Sequence, residues 1–298
     1  MGYLHQQRLR ALLLLMPQCS RALGDAAVVA AMAAALATPH CEPGPGLAGI
    51  PAALESNAEP PSDEEPAHSA SGRLTPHEGI ILPTMHVHAI YIGAEDVDGA
   101  PNEDAFIEWL LTSNGYWNLL AQYGVGYGVM EESRRVSTAS FFPESARTTA
   151  TITESALDAL IFAFTFALIN EGDAGVVDAP LGRDAYVFFM PTTIQIGQEG
   201  ELSCATFGGY HWTLGRSAIA PPYAVIPTCV GLALEMPISH ELAEMATDPS
   251  ANGWYSDVDV QNAGGEVADL CNAPVIEPVD LWSPTQLWSN VNGGCQPR

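Results

Sequence analysis

The order of apolar and polar positions from Gly79 onward predicts strands and helices in alternation. Across Met85 to Ile92, "MHVHAIYI", β-branched and aromatic residues alternate with others before Gly93, which reads as a strand with a stop. From about Asn102 the spacing changes. Phe106, Ile107, Leu110 and Leu111 fall on one helical face, and Asn114-Gly115 ends the run. A second strand-like stretch precedes "TITESALDALIFAFTFALINEG", where Thr153 is placed to cap, and Gly172 to close, a strongly apolar helix. That run contains Asp158 and is shorter than a bilayer span, so it predicts a buried core helix. Ala185 to Met190 is apolar on both faces, as a central strand is. Pro237 then sits where an early helical turn tolerates proline, and that helix is expected to run to about Ala246, with Thr247-Asp248-Pro249 ending it. Elements in this order predict a single α+β (mixed α/β) domain with a central sheet and a loop-rich, disulfide-tied C-terminal part.

Composition divides the chain before that domain. Residues 38–78 are rich in Pro, Glu, Ser, Ala and Gly and poor in large apolar residues, so they read as a flexible linker or pro-segment, leaving 79–298 as the folded domain. Residues 1–37 read as a signal peptide: "MGYLHQQRLR" is a basic leader, and "ALGDAAVVAAMAAALA" an apolar run with cleavage expected near Ala37. The run is too short and alanine-rich to span a bilayer, so no membrane span is expected in the mature chain. Secretion to the exterior or the cell envelope makes disulfides the default for the cysteines. Cys19 leaves with the signal and Cys41 is left over, for a tether, a lipid or no partner. Among three connectivities for the other four, the nearest-neighbour pairing of Cys204 with Cys229 and Cys271 with Cys295 is expected. No C-x-x-C pair is present to hold zinc by thiolates. The charge is lopsided: 35 acidic residues face 10 basic ones, all arginine, for a formal −25. That balance repels phosphate, so no nucleic-acid partner is expected, and it suits a chain that collects cations.

Candidate chemistry centres on "SHELAE". His240 and Glu244 are four apart, so on a helix they stack on one face and can share a tetrahedral cation. Glu241 lies about 100° round the helix, placed to reach a water at the ion and act as base without ligating. This is the H-E-x-x-H zincin helix with glutamate for the second histidine, a change that moves preference toward harder cations; zinc is expected, with calcium as the alternative. A third ligand is expected from Glu266 or Asp269 in "GGEVADLC", with Glu266 preferred for its likeness to the downstream glutamate of gluzincins. Asp248 or Asp269 is expected to orient the His240 imidazole. His211, in "FGGYHW", is a further candidate ligand, and His211 or Tyr210 a candidate oxyanion donor. His86 and His88 share one strand face and form another candidate pair. Plainer roles stand beside these: a solvated His-Glu pair on an acidic helix, structural strand histidines, a hydrogen-bonded loop histidine at 211, and packing for Trp254, Tyr255, Trp282 and Trp288.

The ordered segments "CATFGGYHW", "YAVIPTC", "ISHELAEMATDPSANGWYSD", "GEVADLC" and "WSPTQLWSNVNGGC" resemble the plant phosphate-induced, or EXORDIUM, family and its bacterial relatives. The resemblance covers about Met85 to Cys295 and is closest from Cys204 onward; in the tail, tryptophan and the Ser-Pro pair recur in altered order. It implies a secreted, disulfide-containing protein in which Cys204, His211, Cys229, His240, Glu241, Glu244, Glu266, Asp269 and Cys271 are framework or site positions. It carries no chemistry with it. The expectation drawn from the helix is a secreted zinc metallohydrolase of zincin-like fold, an endopeptidase on a protein or peptide substrate, with His240, Glu244 and Glu266 as ligands and Glu241 as base. The alternative is a non-catalytic extracellular binding protein with a structural ion or none.

Overall fold

Alternation along the strands decides the architecture. The computed structural model describes residues 73–93, 102–131, 133–144, 151–170, 183–198, 200–214, 220–258, 265–275 and 277–297. The expected signal peptide, most of the linker, Cys41 and Gly172 lie outside them. The strands are β1 (Thr75–Pro76), β2 (His86–Ile92), β3 (Val129–Met130), β4 (Arg134–Val136), β5 (Thr151–Thr153), β6 (Asp184–Met190) and β7 (Gln195–Gln198). They continue with β8 (Glu201–Leu202), β9 (Tyr210–Thr213), β10 (Pro222–Pro227), β11 (Trp254–Tyr255), β12 (Leu287–Ser289) and β13 (Gly294–Gln296). The longer helices are α1 (Asn102–Thr112), α2 (Glu154–Asn170) and α3 (Glu235–Thr247).

The main sheet has the order β3-β2-β6-β10-β9, with β4 also paired to β2. All its pairings are parallel except the last, where β9 closes the edge antiparallel to β10. Because successive side chains point to opposite faces, register sorts the residues into rows. His211 pairs with Ala224, Ala224 with Val187 and Val187 with Ala89, which makes one row on one face. Tyr210, Val225, Phe188 and Ile90 make the neighbouring row on the other. The first face packs on Phe106, Ile107, Leu110 and Leu111 of α1 and on Ile238, Leu242 and Ala246 of α3. The second packs on Leu157, Ile161 and Leu168 of α2. Helices cover both faces of a mostly parallel sheet, and every residue of β6 is buried, as its unbroken apolar run requires.

The predicted elements appear with small shifts. The first strand starts at His86, the first helix at Asn102, and α3 ends one residue past Ala246. The Thr153 hydroxyl accepts from the Ala156 N–H at 3.4 Å, the expected cap of α2. The domain, however, begins before Gly79: Leu74 is fully buried, and Thr75–Pro76 pair with Trp254–Tyr255. Composition missed this because a two-residue strand needs no apolar run when its partner supplies the register. The edge strand β9 and its partner β10 were also not read from the pattern. Both expected disulfides form, Cys204–Cys229 and Cys271–Cys295. Among the described residues no helix is long and apolar enough to cross a membrane.

One buried carboxyl sits away from the rest. Asp158 of α2 accepts a hydrogen bond from the Tyr210 hydroxyl at 3.0 Å. Burial raises its pKa, and hydrogen bonds from Tyr223 and Tyr210 offset this only in part. A folded-state pKa above the unfolded value of about 3.9 means that this group's contribution is fully present below that value and is lost as pH rises through the folded pKa. Asp158→Asn is therefore predicted to gain in melting temperature over wild type progressively from pH 4 to pH 7.5. Thermal melts of both proteins across that range test this, and a difference independent of pH overturns it.

Candidate functional site

The site is assembled from three pieces of chain that the sheet edge brings together. Helix α3 packs beneath β10 and β9 and supplies His240, Glu241 and Glu244. It is long enough to put His240 and Glu244 on one face, and Pro237 stands in its first turn, where the missing N–H costs nothing. Strand β9 supplies His211 from the face that looks toward α3. The third piece, Gly265–Cys271, closes as a turn: the Leu270 N–H donates to the Glu266 carbonyl at 3.2 Å and the Asn272 N–H to the Ala268 carbonyl at 2.7 Å. Val267 and Ala268 are fully buried and hold this turn to the core. The Cys271–Cys295 disulfide fixes it to β13 two residues after Asp269.

The polar atoms converge. His240 Nε2 lies 3.2 Å from Glu244 Oε1 and 3.2 Å from Asp269 Oδ1. His211 Nδ1 lies 3.1 Å from Glu241 Oε2 and 3.6 Å from Glu244 Oε2, and its Nε2 is 3.9 Å from Glu266 Oε2. The Asp269 N–H donates to Glu244 Oε1 at 3.1 Å, which orients that carboxylate. Two sets of donor atoms are close enough to hold a cation: His240, Glu244 and Asp269, and His211, Glu241 and Glu244. For bonds of about 2.0–2.1 Å, neighbouring ligands of a tetrahedral ion sit roughly 3.3 Å apart, so the His240 distances fit such an ion.

Burial makes the cluster electrostatically demanding. Side-chain exposure is 3% for Glu244, 7% for Glu241, 9% for His211, 14% for Glu266, 15% for His240 and 25% for Asp269, so water screens these charges poorly. Burial lowers the His211 pKa, but Glu266, Glu241 and Glu244 outweigh it and lift the imidazole to about 10. His240 goes the same way: burial opposes the charged form, Glu244 and Asp269 overcome it, and the pKa lies well above the usual value. Burial raises Glu244, with His240 opposing. Burial and the Glu244 charge push Glu266 well up. Each histidine is thus pulled toward a cation and each of these two carboxylates toward a neutral acid, the response of a charge cluster short of positive charge.

The sequence-predicted residues divide. His240, Glu241, Glu244, His211 and Asp269 meet in one cluster. Glu266 joins it from the His211 side, so Asp269, rather than the preferred Glu266, completes the set with His240 and Glu244. Tyr210 is a correction: it alternates with His211, points to the other face and donates to Asp158, so it is not an oxyanion donor at this site. Asp248 is a second correction. As the cap of α3, its Oδ1 accepts the Asn252 and Gly253 N–H groups at 2.6 and 2.7 Å, while its carbonyl lies 3.3 Å from His211 Nε2; Asp269 is the carboxylate beside His240. His86 and His88 serve separate carboxylates, Glu131 at 2.7 Å and Asp184 at 2.9 Å, and belong to no three-ligand set among the described residues. Trp254, Trp282 and Trp288 pack on the core, and Tyr255 stacks on His77.

Sequence reasoning missed Gly209. A Cβ there would meet Glu241 Oε1 at 2.9 Å and Cγ at 3.0 Å, with Ile226 Cδ1 at 3.2 Å. Its bare Cα lets Glu241 lie against the strand beside His211; the tandem glycines before "YHW" were the available signal. No protein-family model, no curated protein and no solved structure matches the chain.

Gly209→Ala is predicted to displace Glu241 and to destabilise the fold by about 1–3 kcal/mol through overpacking. Chemical denaturation measures the stability, and an unchanged midpoint overturns the account of this contact.

Proposed function

We propose that the protein is a secreted, zinc-dependent metallohydrolase of zincin-like fold that cleaves peptide bonds. The observation that carries this reading is the convergence of His240, Glu244 and Asp269, with each carboxylate oxygen 3.2 Å from His240 Nε2, beside Glu241, which meets His211. An imidazole ligand and the short separations favour zinc over calcium, which prefers oxygen ligands in larger number. Zinc held there supplies Lewis-acid polarisation and a water acidic enough to ionise near neutrality.

The chain's own groups do the rest. Glu241 takes a proton from the attacking water at a carboxylate oxygen. Protonated His211 orients Glu241 through Nδ1, and its positive charge would favour an oxyanion developing beside it. Glu244 and Asp269 both meet His240 at Nε2, so the three side chains aim their donor atoms at one point. Strand β9 favours an extended peptide as substrate. Among the described residues it pairs with β10 alone, and a chain added along its outer edge runs past His211. Two disulfides suit an oxidising compartment, which supports secretion. The likeness to the EXORDIUM family rests on the same residues, since His211, the α3 motif and the "GEVADLC" turn are the segments that build this site.

A second reading is favoured by the low exposure of the cluster, because a catalytic ion keeps an open position and a structural one is closed by protein. It makes the chain an extracellular binding protein with a structural ion. Elemental mass spectrometry and a peptide-hydrolysis assay separate the two. The protein purified without added metal is predicted to hold about one zinc per chain, and His240→Ala to hold none. Glu241→Gln is predicted to keep that ion and lose about 10²–10⁴-fold in turnover. No zinc in wild type, or zinc unaffected by His240→Ala, overturns the metal site; full activity in Glu241→Gln overturns the role of Glu241 as base, and a zinc-loaded wild type that cleaves no peptide leaves the binding reading.

A further inference from the structure

The two oxygens of Glu244 are divided between the two histidines: Oε1 faces His240 at 3.2 Å, and Oε2 faces His211 at 3.6 Å. Beyond the ligand set already used, His211, Glu241 and Glu244 therefore form another, sharing one carboxylate with the first. A carboxylate turned to two neighbouring ligand sets has the disposition needed to bridge two ions, which in two-metal sites lie about 3.5–4 Å apart.

Charge on the His211 side points the same way. A single divalent ion at His240 is balanced by Glu244 and Asp269. Glu241, Glu266 and Asp248 remain, gathered about one imidazole. Asp248 is fully buried, and its side chain meets the Glu266 carboxyl, so two acids share one dry space beside His211. Two buried acids side by side cannot both ionise without a cost. Positive charge gathered by the carboxylates around His211 would offset that cost.

We propose that His211, Glu241 and Glu244 form a second divalent-cation position, filled at higher zinc than the first and bridged to it by Glu244, and that filling it switches the enzyme off. The inference rests on the metal-dependent reading above. The Nδ1 proton that His211 shares with Glu241 leaves to solvent as the ion takes its place, and the regulatory consequence follows from the identity of the other ligand, Glu241. Glu241 is the group that accepts the proton of the attacking water, and an oxygen lone pair committed to a cation is withdrawn from that role. The protein thereby responds to free zinc, with the singly loaded form active and the doubly loaded form silent.

The test uses the full chain stripped of metal and equilibrated by dialysis against rising free zinc, with bound zinc counted by elemental mass spectrometry. Wild type is expected to pass from about one to about two ions per chain, with peptide hydrolysis falling as the second binds. His211→Ala and the nearly isosteric Glu241→Gln are each expected to stop at about one, with far-UV circular dichroism confirming that they fold. Wild type that saturates at one ion, lost in His240→Ala, overturns this inference and leaves the metallohydrolase standing. Two ions retained in both His211→Ala and Glu241→Gln also overturn it. No bound zinc at any concentration overturns both.

Discussion

Everything at the candidate site follows from carboxylates buried with too little positive charge. Glu241, Glu244, Glu266, Asp269 and Asp248 stand against two imidazoles, and among the described ion pairs it is the histidines that answer them. Removing one partner of a buried pair strands the other at a cost of about 3–5 kcal/mol, so such a cluster is a poor choice for stability alone. A fold aiming only at stability would fill this space with leucine. The arrangement leaves negative charge in excess, and the upward pull of those carboxylates on both histidines is its electrostatic trace.

The rest of the molecule holds that cluster in place. Rows of alternating side chains give the sheet two apolar faces, and helices cover both. The antiparallel edge strand then aims His211 down at α3 while its neighbour Tyr210 is tied to Asp158 on the far side. Small residues make the approach possible. Ala224 lies opposite His211 in the ladder, and Gly209 leaves room for Glu241. The C-terminal hairpin of β12 and β13 plays a comparable part through Cys295, which fixes the turn that carries Glu266 and Asp269. The Trp288 backbone N–H donates to the Val267 carbonyl at 2.8 Å in the same turn, so the placement of Glu266 and Asp269 and the packing of the hairpin are coupled.

Local pattern was a good guide wherever one element's own residues decide its state. The strand at His86, the helix from Asn102, the Thr153 cap, the apolar central strand and the helix bearing "SHELAE" were all legible because period, caps and proline position act within a few residues. His240, Glu241 and Glu244 could be grouped for the same reason, since four residues on a helix are one turn. The pairing of β9 with β10 was not legible, because a four-residue strand among glycines acquires its conformation from its neighbour. The choice between Glu266 and Asp269 was beyond the sequence as well; three residues apart on a turn, they face different histidines, and only the fixed orientation of that turn separates them.

By itself, then, the amino-acid sequence determined the main helices, the first and central strands of the sheet, the net acidity of the chain and the presence of a histidine-glutamate helix. It also pointed to the nearest-neighbour pairing of Cys204 with Cys229 and Cys271 with Cys295 that the disulfides adopt. Tertiary structure alone decided that His211 reaches Glu241 across thirty positions of chain, that Tyr210 turns away, that Asp248 caps α3 and leaves His240 to Asp269, and that Glu244 serves both histidines. The reason is physical: periodicity and capping are local, whereas a charge cluster forms from groups whose distances are fixed by sheet register, helix packing and a disulfide, none of which is encoded in the spacing of residues along the chain.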